Sequence, residues 1–272
     1  MMNTTVIIMA GGLGKRMKSE LPKVLHKVDG EPMLVRIIKQ ALELKPTNIL
    51  IVVGKYKPII QETLLKFHVL KSVKFVIQEP AMGTGHAIQC CKDTLFLNNA
   101  KDDKVLILSG DTPLVSSNLM KNMLTFEEVK IMTTFRDDPT GYGRVKLTKD
   151  VFDKIVEHKD ASPEELKIQR VNCGIYAFRN HLLCDYLKYL NNNNAQNEYY
   201  LTDMIEILKN KANAHIDIYT LPQQRQWELT NVNDRVQLQY VNNLVKSISK
   251  DFYRPIIKKG VRKNKSRSKM RM

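Results

Sequence analysis

A chain of 272 residues with 43% hydrophobic content is long enough to bury a sizeable core, as one large domain or two modest ones. No apolar run approaches the roughly 18 to 20 residues that a membrane helix needs, and the N-terminus lacks the order of a secretory leader, so the cytoplasm is the expected compartment. The net charge of +15 suggests a polyanion binder, but nine lysines and arginines without one acid lie in residues 254–272, leaving +6 for the rest, a balance that suits phosphate-bearing ligands equally well.

From the start, short β-branched runs alternate with helical patterns, the mark of βαβ units and a parallel sheet. Strands are expected at residues 5–10, 48–53, 73–77 and 105–108, each almost wholly apolar, as where both sheet faces are covered. Met33, Leu34, Ile37, Ile38, Ala41 and Leu42 recur at helical spacing after Pro32, predicting a helix there. Beyond about residue 130, strand-like runs at 131–135, 144–147, 173–178 and 215–220 are interspersed with helical patterns at 180–190 and 200–209. No flexible linker intervenes, so a second lobe continuous with the same sheet is expected. The polar run 191–194 reads as a solvated loop tip. Apolar residues from Val232 to Ile248 then mark a last helix ending near Asp251, and residues 253–272 read as a basic, disordered tail.

The fold class expected is thus α/β, a Rossmann-like mixed, mainly parallel sheet flanked by helices. Cys90, Cys91, Cys173 and Cys184 show no Cys-x-x-Cys pair, which argues against a zinc site and a disulfide framework. No repeat is present, and the want of hexapeptide periodicity predicts no parallel β-helix.

Chemistry concentrates first at Ala10-Gly11-Gly12-Leu13-Gly14-Lys15-Arg16-Met17, followed by Leu21-Pro22-Lys23. A glycine-rich turn after the first strand of a doubly wound sheet lets backbone approach a nucleotide, and its N–H groups can cradle phosphate. The spacing is neither the dinucleotide Gly-x-Gly-x-x-Gly nor a Walker A loop. Arg16 and Lys23 flank it, as would suit a triphosphate whose pyrophosphate end must leave with its charge. Asp111 follows an apolar strand and is expected to project into the same crevice.

These residues, with Gln78, Gly83-Thr84-Gly85-His86-Ala87, Gly110-Asp111-Thr112-Pro113-Leu114, Thr140-Gly141-Tyr142-Gly143-Arg144, Ile155-Val156-Glu157-His158-Lys159-Asp160-Ala161, Asn172-Cys173-Gly174-Ile175 and Val232-Asn233-Asp234-Arg235, resemble the uridylyltransferase domain of the bacterial N-acetylglucosamine-1-phosphate uridyltransferases, within the sugar nucleotidyltransferases. Order and spacing agree over roughly residues 5–250. The resemblance implies a nucleotide-diphospho-sugar transferase fold, similar to GT-A, over residues 1–252, with a nucleotide-binding half to about 130 and a sugar-binding half from 131.

It also implies the transfer of UMP from UTP to N-acetylglucosamine-1-phosphate with Mg²⁺ as cofactor. Ala10, Gly11, Gly12, Gly14, Gln78, Gly83 and Thr84 would hold the nucleotide, and Arg16 and Lys23 would neutralise the phosphates. Gly143, Glu157 and Asn172 would bind the sugar, Asp111 and Asn233 the metal. His86 is expected to shape its turn rather than move a proton. Ser109, Lys15 and Asn231 depart from the family's usual residues, which bears on the shape of the uracil pocket and loop. With no β-helix expected, a second, acetyl-transferring activity is not. Two alternatives stay open: a same-fold enzyme for another sugar or base, such as glucose-1-phosphate, and a catalytically silent nucleotide-sugar-binding protein. A monomer or dimer is expected, with nucleic acid touched at most weakly through the tail.

Overall fold

Apolar runs at both faces are stable in a strand only where helices cover both sides of the sheet. Three such runs form the centre: β1 (Thr4–Met9), β4 (Asn48–Val53) and β6 (Lys104–Ser109). The fold is that of a computed structural model, and the structure describes residues 3–12, 14–96 and 102–248. The expected basic tail, the end of the last helix near Asp251 and Leu13 lie outside the described residues.

In chain order the remaining elements are β2 (Lys27–Val28), β3 (Glu31–Pro32), α1 (Met33–Leu42), α2 (Lys57–Lys66), β5 (Lys74–Ile77), α3 (Thr84–Gln89), α4 (Lys92–Phe96) and α5 (Ser117–Met123). There follow β7 (Val129–Phe135), β8 (Arg144–Thr148), β9 (Val151–Val156), β10 (Arg170–Arg179), α6 (Asn180–Tyr186), α7 (Leu201–Ala212), β11 (Ile216–Thr220) and α8 (Arg235–Ser247). Among the described residues the main sheet has nine strands, ordered β11-β7-β10-β6-β1-β4-β5, with the β8–β9 hairpin joined through β10. β5, β4, β1 and β6 run parallel, and β10 runs against both β6 and β7. The fold is therefore α/β, with a mixed, mainly parallel, Rossmann-like sheet.

Side chains alternate across a strand, and β1 shows the consequence. Val6 and Ile8 pack with α1, α2 and α5, whereas Ile7 packs with α3, α6 and α7. A third cluster joins Met17, Val28 and Met33 near the start of the chain to Val232 and Val241 near the end of the described residues. It docks α8 against the β2–β3 ribbon, with Arg235 Nε donating to the Met17 carbonyl at 3.0 Å.

Three expectations are corrected. The strand expected at 73–77 is the sheet edge, and Ile77 is 44% exposed, so only one side of it is laterally covered. Val232 precedes α8 instead of starting it, because Asp234 caps the helix by accepting from Gln237 N at 2.8 Å. The strand β9 was not expected at all: the adjacent β8 residues Lys146 and Leu147 pair with Lys154 and Phe152, so Asp153 is an extra residue in β9 and breaks the alternation that signals a strand.

Candidate active site

Met9 and Ser109 are register partners across β1 and β6, so the loops leaving these two strands begin side by side. From this pair the chain order runs outward in opposite senses, and such a switch point opens a crevice at the strands' carboxyl ends. A cavity of about 280 Å³ lies there, its lining including Gly11, Gly12, Lys23, Gln78, Gly83, Thr84 and Asp111. Residues from three connections, spread over a hundred positions, thus line one cavity.

The glycine loop folds back on the lysine. Gly14 has φ +58°, and a Cβ there would stand 2.6 Å from Lys23 Cβ, so a side chain at 14 would be both strained and blocked. Gln78 is buried; its Nε2 donates to the Gly83 carbonyl at 2.8 Å and lies 3.4 Å from His86 Nδ1. Its Oε1 is turned toward Gly11, where an added Cβ would meet it at 3.4 Å. His86 braces this turn, as expected of it. Ala10 is buried, and its N–H donates to the Val52 carbonyl at 2.8 Å, so that donor extends the sheet to the foot of the glycine loop. Arg16 stands exposed on a turn spanning Lys15–Met17 and, among the described residues, is not part of the cavity lining.

Lys23 joins the two residues expected to hold a metal. Its Nζ donates to Asp111 Oδ2 at 2.5 Å and to Asn233 Oδ1 at 3.2 Å. Burial alone would raise Asp111, but the Lys23 charge, with hydrogen bonds from Lys23, Ser109 and Asn231, outweighs it and holds the carboxyl below the usual carboxylate range. A cation already occupies the space between two hard oxygen donors, which is the fit that a small divalent ion requires. Among the described residues no three His, Cys, Asp or Glu converge as metal ligands. An ion here would complete its shell from substrate oxygens and water, as magnesium on a nucleotide does.

Gly143, Glu157 and Asn172 form a second group. Asn172 N donates to the Gly143 carbonyl at 2.9 Å, and a Cβ on Gly143 would stand 3.3 Å from Glu157 Oε1. Asn172 Nδ2 donates to the Tyr176 hydroxyl at 2.6 Å. Glu157 follows the end of β9, not a helix, and Thr202 Oγ1 donates to its Oε1 at 3.0 Å. Burial pushes the Glu157 carboxyl up; the Thr202 hydrogen bond opposes and the Asp160 charge adds to the rise.

Residues 194–202 connect the two groups. A Cβ on Gly83 would meet the Tyr199 carbonyl at 2.5 Å, and Leu201 N donates to Thr84 Oγ1 at 3.0 Å. One residue on, Thr202 reaches Glu157. The polar run read as a solvated tip contributes here: Asn194 Oδ1 accepts from Gln196 N and Glu198 N, both at 3.2 Å, shaping the turn. Ser109, Asn231, Glu198 and Thr202 are site residues that sequence reading did not select. The only signal for the first two was that they depart from the family's usual residues.

The profile of the MobA-like NTP transferase domain matches residues 6–161. A protein of Acanthamoeba polyphaga mimivirus, provisionally named UDP-N-acetylglucosamine pyrophosphorylase, is 37% identical over 247 residues, which are 89% of this chain and 96% of that one. The bifunctional protein GlmU of Clostridium tetani is 41% identical over 251 residues, 90% of this chain and 53% of its own length. The chain therefore spans nearly all of the first relative and about half of the second. A Bacillus anthracis crystal structure, provisionally named a glucose-1-phosphate thymidylyltransferase, agrees with TM-score 0.69 at 23% identity, over 90% of this chain and 96% of that one. That likeness shows the fold.

Proposed function

Because the chain belongs to the MobA-like NTP transferase family, we propose that it transfers the uridylyl group of UTP to N-acetylglucosamine-1-phosphate, forming UDP-N-acetylglucosamine and pyrophosphate. The observation that carries this reading is the Lys23 ammonium held between Asp111 and Asn233 beside a glycine-walled cavity at the switch point. The names of the mimivirus and clostridial relatives support the choice of base and sugar.

No protein nucleophile is needed. An oxygen of the sugar phosphate attacks the α-phosphorus of UTP, the bond to the bridging oxygen of pyrophosphate breaks, and the electron pair leaves on pyrophosphate. What the chain supplies is position and positive charge. Lys23 would neutralise the α-phosphate and the incoming phosphate, and Arg16, exposed nearby in sequence, the β- and γ-phosphates. Gln78, with Nε2 committed to the Gly83 carbonyl, has Oε1 left to accept from the uracil N3–H. Ala10, Gly11, Gly12 and Gly14 would admit the nucleotide against backbone, with Gly83 and Thr84 beside the base. Glu157 would accept from a sugar hydroxyl, with Asn172 and the Gly143 backbone completing the contacts. Asp111 and Asn233 would hold Mg²⁺, which when bound draws negative charge from the reacting phosphates. The substrates are water-soluble phosphates, and we assign the reaction to the cytoplasm.

Pyrophosphate release from UTP, measured with a panel of sugar-1-phosphates, tests the reading. A kcat/KM higher for N-acetylglucosamine-1-phosphate than for glucose-1-phosphate is expected, since a site built to bond a substrate group discriminates against an analogue lacking it. Equal or better turnover of glucose-1-phosphate would overturn the sugar assignment, and no turnover of any sugar phosphate would overturn the activity.

A further inference from the structure

The two oxygens of the Asp111 carboxylate keep different company. Oδ2 accepts from the Lys23 ammonium at 2.5 Å. Oδ1 accepts from Ser109 Oγ at 2.7 Å, from Asn231 Nδ2 at 3.2 Å and, more distantly, from Thr112 Oγ1 at 3.4 Å. The three donors on Oδ1 are neutral, and they converge on one oxygen of a residue that is only 9% exposed. Neutral donors on one oxygen fix the carboxylate plane without cancelling its charge, which leaves the other oxygen turned toward a cation.

Asn231 has a second effect. It lies 120 positions downstream of Asp111, and its Nδ2 also donates to Thr112 Oγ1 at 3.0 Å. The next residue, Val232, donates its N–H to the Asp111 carbonyl at 2.9 Å. These bonds clamp the downstream segment onto the loop after β6. Asn233 follows immediately and meets the Lys23 ammonium from the other side, at 3.2 Å. The gap between the two oxygen donors is thus set by Asn231 and Val232, which bear no charge themselves.

We propose that Ser109 and Asn231 are positioning residues for the divalent cation: they leave Asp111 Oδ2 to the ion once Lys23 turns to the phosphates, and Asn231 holds Asn233 opposite it. The inference rests on the reading of Asp111 and Asn233 as the ion's protein ligands. Without these donors the carboxylate would have to be ordered at the moment of binding, at a cost in affinity. The two residues act on one oxygen, so their losses overlap.

Mn²⁺ reports on such a site by paramagnetic resonance, where free and bound ion differ in signal. Full-length protein with UTP and no sugar phosphate, so that no turnover occurs, is titrated with Mn²⁺. Ser109→Ala and Asn231→Ala are each expected to weaken Mn²⁺ about tenfold, and the double variant by less than the product of the two. Ser109→Thr, which keeps the hydroxyl, should restore most of the affinity lost in Ser109→Ala; a merely structural role for the bond would show instead as a lowered Tm with Mn²⁺ affinity unmoved. Folded Ser109→Ala and Asn231→Ala proteins that bind Mn²⁺ as the wild type does overturn the proposal and leave the reading of Asp111 standing. A wild-type protein that binds no Mn²⁺ with UTP overturns both. If Ser109→Ala does not fold, Asn231→Ala decides the matter alone.

Discussion

The proposed nucleotide cavity and the proposed sugar group are built by opposite means. The cavity stands on the parallel core: β1 and β6 are hydrogen-bonded neighbours over six paired positions, and the loops that carry Gly11 and Asp111 leave them at the same level. The sugar group stands on additions to that core. Gly143 precedes a hairpin strand, Glu157 follows another, and Asn172 sits at an irregularity where β10 shifts register against β7 between Asn172 and Tyr176. A ladder fixes loop origins to within the pleat, whereas a bulged hairpin needs side-chain bonds to hold its shape. The difference teaches where each region is vulnerable: the first to loss of charge, the second to loss of single hydrogen bonds such as that from Thr202 to Glu157.

If that contrast holds, the largest effect should come from Lys23→Met. Removing the cation should lower kcat/KM by about a thousandfold and, by leaving the Asp111 carboxylate unpaired in a site where the two side chains are 15% and 12% exposed, destabilise the fold by about 3 kcal/mol. Steady-state pyrophosphate release and thermal unfolding measure the two, and a kcat/KM within tenfold of wild type would remove Lys23 from the phosphate chemistry. On the sugar side, Glu157→Gln should raise KM for the sugar phosphate by about tenfold or more while KM for UTP stays near its wild-type value. A parallel rise in both constants would mean that the two groups form one indivisible site.

A subtler break is Thr202→Val. Its hydrogen bond lowers a carboxyl that burial has raised, so its loss should move Glu157 further up. The sugar contact proposed for Glu157 needs the ionised carboxylate as acceptor. KM for the sugar phosphate should therefore climb on acidification in the wild type, and do so at higher pH in Thr202→Val. Superimposable pH profiles would count against this coupling.

The smallest expected effect lies at Asp203 on α7, pushed up to about 6 by burial and then by the charges of Glu206, Glu157 and Asp160. A carboxyl raised in the folded state stabilises most below its ordinary value near 3.8 and loses that contribution as pH rises through about 6. Asp203→Asn cannot ionise. Its Tm relative to wild type should rise by a few degrees between about pH 4 and about pH 7, and a constant difference across that window would contradict the cause assigned to the shift.

The same contrast decides what was legible in the sequence. The parallel core was, because β-branched runs at 48–53 and 105–108 and the helical recurrence from Met33 to Leu42 carry their own periodicity. So was the crevice, since glycines and Asp111 after such runs have one place to go. β9 was not, because an extra residue, Asp153, stands between the partners of Lys146 and Leu147 and breaks its alternation, so the strand that leads to Glu157 left no local signal. Val232 looked like helix because it is apolar at the right spacing, yet it is buried for another reason, packed with Met17 and Met33. Asn231 acts through side-chain bonds to a loop 119 and 120 positions away, which no local pattern records, and Asn194 and Ser109 act through bonds two to four residues along the chain that leave no periodicity.

The claim at the centre of this account is that Asp111, in the loop after β6, and Asn233, just before α8, serve one cation. Asp111→Asn, nearly isosteric but uncharged, should lower kcat by about a hundredfold or more and raise the Mg²⁺ concentration needed for half-maximal rate. Asn233→Ala should do the same more weakly. The decisive quantity is the double variant's kcat and Mg²⁺ dependence, set against both single variants with folding checked by circular dichroism. If both side chains hold one ion, the combined loss is smaller than the product of the two separate losses; losses that multiply independently, or a folded Asp111→Asn protein with wild-type turnover and metal dependence, would contradict it.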